Sequence, residues 1–427
     1  MTEKLKLGCV VLERNVEKKV QTTINKLCLE VKVFSYKTFE TLMVNINKDH
    51  IDYIFVDIDS NRENLLHFLK ILQDEFPHVI RVLVIDLLTD ELVLMANNLV
   101  HLMLEKKYLE ETLRKLFIKA EKLRRLLKNQ DLIKMINSFN NLVVLKQQHI
   151  ELLQYMNKHD SSNKEISRII EKNIVLSTKI LQVANMAIFT TTERIKTVSN
   201  AVVFLGLDII RALIINMQVF SFDSGKGNIF RHLALLECHC QNIAEYSKIV
   251  AAAFNATGVI QNHCFTAGLL HDIGKLVMMD KVHNWDNIQK LSYVNDLIIW
   301  KAEEAFLGTT HAHVGAYFLG IWNFPDEIVE AVAFHHDPSA SETDTISCLT
   351  FVHIAEAMLK NNVVSTLEEF ERQLDMDYLN RLGIRQQTID FYKSYLGLDE
   401  PHKRIELAED SGTRSGHVKI EVLDDNG

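Results

Sequence analysis

Along the first hundred residues, short apolar runs alternate with amphipathic stretches. The runs are Leu7–Leu12, Val31–Phe34, Tyr53–Val56, Val79–Ile85 and Leu99–Leu104, and between them Val16–Cys28, Asn64–Phe76 and Asp90–Ala96 carry apolar residues at helical spacing. Five such runs with helices between them predict strands of a parallel, doubly wound α/β sheet. In a sheet of that kind a site lies outside the carboxyl ends of the strands. The residues at those ends are Glu13, Asp57, Asp86 and Lys106, three acids and a lysine. After this the period changes. Leu109, Leu113, Leu116, Phe117, Ala120, Leu123 and Leu127 form an i, i+3, i+4, i+7 stripe amid Lys115, Lys119, Lys122, Arg124, Arg125 and Lys128. The stripe predicts a helix that leads toward a second domain and is suited to pairing with its own copy in a dimer.

From about Leu132 to Leu359 nearly everything reads as helix. Ser162 or Asn163 caps a helix through Ile166, Ile169 and Ile170; Thr197 caps Val198–Leu205, Gly206 ends that helix, and Asp208 caps the next. Past Leu396 the pattern thins to a polar, acidic-leaning tail with a brief strand expected at Val418–Val422. At 427 residues the chain suits two or three domains. Only 4 prolines and 15 glycines favour helices over a turn-rich β architecture. A net charge of −9 gives no support to nucleic-acid binding by a general electrostatic route. No apolar run reaches the roughly 18 residues of a membrane span. With no signal-peptide pattern, and with 6 cysteines lacking a CxxC spacing, reduced thiols and a cytoplasmic location are expected. Cys238 and Cys240 flank His239 but occupy alternate helix positions, which do not converge, so they read as small core residues.

The stretch with the most chemistry is Gly268–Leu276, GLLHDIGKL. Neutral imidazole and carboxylate both ligate divalent metals, and His271 and Asp272 stand side by side. Adjacent residues on a regular helix point about 100° apart, so one metal can take both only where the helix starts, ends or bends. Gly274 permits such a bend. His239 upstream and His311, His335 and His336 downstream supply further ligands, and Glu356 lies about one turn from His353. Helix bundles build metal sites by projecting such groups inward from facing helices.

Two resemblances follow from these motifs. Roughly residues 1–120 resemble the receiver domain of bacterial response regulators, which implies a strand order of 2-1-3-4-5. Asp57 in YIFVDID matches the phosphoacceptor, Lys106 in LMLEKKYLEETL matches the phosphate-contacting lysine, and Glu13 offers one of the two Mg²⁺-holding acids. Asp86 stands where a threonine or serine is expected, and Lys107 where a proline is. These departures predict a receiver-shaped module that docks partners or dimerises without phosphotransfer.

Roughly Ser138–Leu359 resembles the HDOD family, a branch of the HD metal-dependent phosphohydrolase superfamily. The motifs are ILQVAN at Ile180–Asn185, AVVFLGLDIIRALI at Ala201–Ile214, AGLLHDIGKLVM at Ala267–Met278, and HAHVGAYFLGIWNFPDEIVEAVAFHHDP at His311–Pro338. The resemblance implies a metal set of His239, His271, Asp272 and Glu356, the last in place of an aspartate. His311, His335 and His336 match extra histidines of the related HD-GYP cyclic-di-GMP phosphodiesterases, and Lys275 matches the lysine after their HD pair. The glycine-tyrosine-proline segment of those enzymes is missing.

The resulting layout is a receiver-like domain at 1–120, a helical linker at 121–137, an HDOD domain at 138–359, a helical extension at 360–397 and a flexible tail at 398–427. The implied function is a signal-transduction regulator acting on a partner protein, as a homodimer or otherwise, with no nucleic acid and no membrane. The alternative is a metal-dependent phosphohydrolase acting on a nucleotide, with Fe, Mn, Ni or Mg as the divalent cofactor and Asp272 and Lys275 in catalysis.

Overall fold

The computed structural model describes residues 5–10, 14–26, 31–57, 62–96, 99–127, 129–138, 144–145, 152, 154–156, 162–187, 194–216, 219–220, 227–281, 299–360 and 363–398. Five parallel strands, β1 (Leu5–Val10), β2 (Val31–Tyr36), β3 (Tyr53–Asp57), β4 (Ile80–Ile85) and β5 (Leu102–Glu105), form a sheet of order β2-β1-β3-β4-β5. The last three are buried along their whole length, which is why their runs show no polar alternation. Helices α1 (Arg14–Lys26), α2 (Phe39–Asp49), α3 (Arg62–Glu75), α4 (Asp90–Ala96) and α5 (Leu109–Leu126) connect or follow the strands. Arg81 breaks the apolar run of β4 yet is fully buried. Its side chain donates to the carbonyls of Leu99 and Val79 at 2.5 and 3.0 Å. Burial pushes its pKa down to about 9.

The stripe of α5 does not wait for a second copy of the chain. Leu109, Leu113, Leu116, Phe117, Ala120 and Leu123 are all buried within the chain itself, as is Leu127. Leu123 lies over Gly320, where a Cβ would come within 2.4 Å of its Cδ2. The stretch expected as a linker behaves likewise: α6 (Gln130–Asn137) buries Ile133 and Ile136, and Asn137 donates to the carbonyl of His78 at 2.9 Å. His101, just before β5, packs at a tilt against Trp322 with ring centroids 4.7 Å apart. One continuous apolar cluster therefore runs from the sheet into the helices beyond it. The stripe's amphipathic pattern was a sound sign of a partner; the partner is intramolecular.

The helical part continues with α7 (Asn163–Glu171), α8 (Ile174–Ala187), α9 (Val198–Asn216), α10 (Gly227–Ala253), α11 (Gly258–Leu270), α12 (Ile273–Lys281) and α13 (Ile299–Leu307). It ends with α14 (His311–Ile321), α15 (Asp326–Phe334), α16 (Cys348–Met358), α17 (Leu367–Gln373), α18 (Met376–Arg381) and α19 (Arg385–Tyr395). Two short pairs of strands, β6 (Val144–Leu145) with β7 (Val219–Phe220) and β8 (Leu359–Lys360) with β9 (Val363–Val364), and single 3-10 turns at Lys106–Tyr108 and Pro338–Ala340 accompany the helices. Ser162 caps α7 through the Glu165 amide, and Thr197 receives the Asn200 amide at the start of α9. Gly206 breaks α9 with φ 76° and ψ 160°, a conformation open to glycine at little cost. Among the described residues no helix is long and apolar enough to cross a membrane. Glu13, Lys128 and the expected tail strand at 418–422 lie outside the described residues.

Candidate metal centre

Five places in the helical part contribute to one cluster. His239 comes from α10, His271 and Asp272 from the break between α11 and α12, and His311 from the first position of α14. His335 and His336 directly follow α15, and Glu356 sits near the end of α16. Two glycines set how closely these helices approach. A Cβ on Gly268 would lie 2.9 Å from the Ala244 Cα, so α11 is drawn against α10. A Cβ on Gly274 would fall 1.9 Å from the His311 carbonyl oxygen; with hydrogen in its place, α12 and α14 touch and His311 reaches Asp272. The helix break at His271 and Asp272 lets adjacent residues face the same point.

Asp272 is the centre of the cluster. Its Oδ2 lies 3.4 Å from His271 Nε2 and 3.5 Å from His239 Nε2. Its Oδ1 lies 3.0 Å from His311 Nε2 and 3.9 Å from His335 Nε2. Glu356 Oε2 completes the first side, 3.3 Å from His239 and 3.4 Å from His271. His336 joins the second, with its Nε2 at 3.1 Å from that of His311. Two groups, His239/His271/Asp272 and Asp272/His311/His335/His336, thus each offer ligand atoms within 4.8 Å of one another.

The outer nitrogens decide which way the lone pairs point. His271 Nδ1 is 2.6 Å from the Gly268 carbonyl, His335 Nδ1 is 2.9 Å from that of Val332, and His311 Nδ1 is 2.7 Å from Glu303 Oε2. A proton on Nδ1 of each ring would donate to these acceptors, and the Nε2 atoms are the ones directed inward. That is the arrangement a metal-ligating histidine needs. Asp272 Oδ1, His335 Nε2 and Glu356 Oε2 are buried and have no hydrogen-bond partner among the described residues. Unsatisfied buried acceptors are costly, and cations held in the two groups would satisfy them. The donor set of imidazoles and carboxylates fits a divalent transition metal.

The electrostatics agree. Burial disfavours a charge on Asp272, but Lys275, His271 and His311 outweigh it and hold the carboxyl well below the usual range. Burial likewise opposes ionisation of Glu356, and His239 more than offsets it. Burial, then the neighbouring imidazoles, push His335 and His336 well below the ordinary histidine value, so both are neutral and free of the proton that would block a metal. His311 differs: burial lowers it, yet Glu303 raises it to about 9. Lys275 stands 2.5 Å from Asp272 Oδ2, with its own pKa raised because Asp272 and Glu356 overcome its burial.

Glu303 is a residue that sequence reading passed over. It is fully buried and takes both the backbone amide of His311, at 2.6 Å, and its ring Nδ1. No spacing rule exposes it, since it lies on a different helix, α13, in an ordinary acidic pair. His353 has the opposite story. Its Nδ1 meets the His335 carbonyl at 2.8 Å and its Nε2 accepts the Asp375 amide, so it buttresses His335 and offers nothing to the centre.

In the sheet, Asp57 ends β3, Asp86 follows β4 and Lys106 follows β5. Lys106 Nζ is 3.0 Å from Asp57 Oδ1 and 3.3 Å from Asp86 Oδ1. Three of the four predicted strand-end residues therefore gather at one place.

Residues 142–338 match the HDOD domain. The match includes His239, His271, Asp272, Lys275, Glu303, His311, His335 and His336, and stops short of Glu356. An uncharacterized protein of Treponema pallidum (strain Nichols) is 22% identical over 198 residues, 45% of this chain and 37% of that relative's length. This chain therefore aligns with little more than a third of it. A virulence factor of Campylobacter jejuni shares the fold: 18% identity, TM-score 0.50, covering 65% of this chain and 96% of that one. The response regulator MmoQ of Methylococcus capsulatus is 21% identical over 57% of this chain and 98% of its own, with TM-score 0.41.

Proposed function

We propose that this chain is a signal-transduction protein in which a receiver-like α/β unit is coupled to an HDOD domain holding a centre for two divalent metals. The observation that carries the reading is the position of Asp272, whose two oxygens face different histidine groups. His239, His271, Asp272 and Glu356 would hold one metal, and Asp272, His311, His335 and His336 the other. The output is a contact with a partner protein, biased by the receiver-like unit. Support for the coupling comes from α5, which touches both helices that deliver the second group. Leu123 covers Gly320 near the end of α14, and Lys119 reaches Asp326 at 3.3 Å and the Phe324 carbonyl at the start of α15.

The test is metal analysis of protein purified without a chelator after growth in Mn²⁺, Fe²⁺ or Ni²⁺. The expected result is retained metal, lost on Asp272→Ala with the circular dichroism unchanged. A folded protein that takes up none of these ions, nor Mg²⁺, overturns the reading.

A second reading is phosphoester hydrolysis, favoured by Lys275. A divalent metal in such a site supplies Lewis acidity toward a phosphoester and lowers the pKa of water. The chain's own part would be to exclude bulk solvent around Asp272, to keep His335 and His336 neutral, and to present the Lys275 ammonium toward developing negative charge. The substrate class is a nucleotide phosphoester. Turnover of bis(p-nitrophenyl) phosphate by metal-loaded protein, abolished by Asp272→Ala, would promote this reading above the first. Absence of turnover in protein shown to carry metal would remove it.

A further inference from the structure

Three helices arrive at the metal centre by their carboxyl ends: α11 leading to His271 and Asp272, α15 to His335, and α16 to Glu356. The same three helices meet again farther from the centre. Cys264 on α11 lies seven residues before His271, Glu327 on α15 eight before His335, and Cys348 on α16 eight before Glu356. At a rise of about 1.5 Å per residue, this second layer sits roughly 10–12 Å from the centre. The Sγ atoms of Cys264 and Cys348 are 2.6 Å apart, and Cys348 Sγ donates to Glu327 Oε1 at 3.1 Å. Glu327 is also tied to Lys196 at 2.8 Å, with His263 Nδ1 at 3.9 Å. Contacts at both levels mean that the three helices run side by side in the same direction.

Nothing in the metal centre uses this layer. Two buried cysteines from different helices ordinarily pack as small apolar groups. Here the sulfurs are only a little farther apart than the roughly 2.05 Å of a disulfide bond, and one thiol is hydrogen-bonded to a carboxylate. Both cysteines are fully buried, with the surface close by: Ile346, two residues before Cys348, is 45% exposed, and Ile260, one turn before Cys264, is 39% exposed.

We propose that Cys264 and Cys348 form a thiol–disulfide switch that, when oxidised, staples α11 to α16 and so fixes the helices delivering His271, Asp272 and Glu356. The oxidant is a small peroxide. As Cys348 Sγ attacks one oxygen of hydrogen peroxide the O–O bond breaks, and the thiol proton, relayed by Glu327, joins the departing oxygen, leaving a sulfenic acid and water. Cys264 Sγ then attacks the sulfenic sulfur, the S–O bond breaks, and the departing hydroxyl leaves as a second water with the Cys264 proton. Two thiols and one peroxide give one disulfide and two waters, and the two electrons come from the sulfurs. An external dithiol reverses the step by exchange.

The experiment uses the full chain, reduced, freed of reductant, exposed to a small excess of hydrogen peroxide, alkylated and digested. The expected product is a cross-linked peptide pair containing Cys264 and Cys348, lighter by about 2 Da than the two thiol peptides together, and abolished by dithiothreitol. Cys238→Ser, which alters an exposed cysteine, should leave the cross-link intact, whereas Cys348→Ala should remove it. Because the wild-type digest needs no variant, a folding failure of Cys348→Ala cannot mask the result. Recovery of both cysteines as alkylated thiols, or as separate sulfinic acids, from protein that keeps its native circular dichroism would overturn the proposal. The outcome does not depend on metal content, so it stands or falls apart from the metal reading.

Discussion

Asp57 and Asp272 share a description and differ in what surrounds it. Each is a buried aspartate beside a lysine, Asp57 with Lys106 at 3.0 Å and Asp272 with Lys275 at 2.5 Å. Lys106 is divided between two acids, since Asp86, with a side chain 69% exposed, also draws on it. That is a compact group of hard oxygens and an ammonium. Around Asp272 stand five imidazoles and a second carboxylate, with three of the Nε2 atoms turned inward by acceptors behind the rings. A buried aspartate with a lysine therefore does not define a site. What sets the Asp272 cluster apart as a candidate metal centre is the layer of acceptors that orients the rings around it.

The largest effect expected from breaking that difference is at the shared carboxylate. Asp272→Ala should weaken metal binding by more than the roughly 10–100-fold that outer-layer changes cost, as read by titration with Mn²⁺. Gly274→Ala attacks the geometry: a methyl group 1.9 Å from the His311 carbonyl oxygen forces α12 and α14 apart. Overpacking of this kind costs about 1–3 kcal/mol, or more where backbone is the obstacle, and should lower the melting temperature by several degrees. Glu303→Gln keeps the shape and removes the charge behind His311, so metal affinity should fall by roughly 10–100-fold with the circular dichroism unchanged.

Lys119, at the contact between the two regions, should report through pH. Burial, and then Arg194, hold it at about 7 against the pull of Asp326. A lysine whose pKa is lower in the folded than in the unfolded chain binds fewer protons when folded between about 7 and about 10.4. Its cost is full below about 7 and fades as pH rises through that window, so stability should climb there. Urea unfolding of Lys119→Met should show a flatter climb. The smallest effect is expected at the other aspartate: Asp57→Asn should leave metal content within error. Acetyl phosphate with Mg²⁺ should add no phosphoryl mass to the wild type; a gain that Asp57→Asn abolishes would erase the contrast drawn here.

Much of this arrangement could be read before any coordinates. Apolar runs too short for helices marked β3, β4 and β5 to within a few residues, because a strand buried on both faces has no room for polar alternation. Gly206 marked a real break in α9, and the HD pair fell where a helix is interrupted. The reading of the α5 stripe shows where pattern stops being informative. Periodicity says that Leu116 and Leu123 need an apolar partner; it does not say whose.

Local spacing by itself determined which elements form and which residue types have metal chemistry, because helix and strand periods are properties of the backbone and ligand strength is a property of the side chain. Tertiary structure alone decided that Asp272 faces two groups, that Glu303 stands behind His311, that His353 turns away, and that Cys264 meets Cys348. Those facts depend on how closely helices far apart in the chain can approach, and Gly268 and Gly274 set that distance where no neighbour in sequence records it.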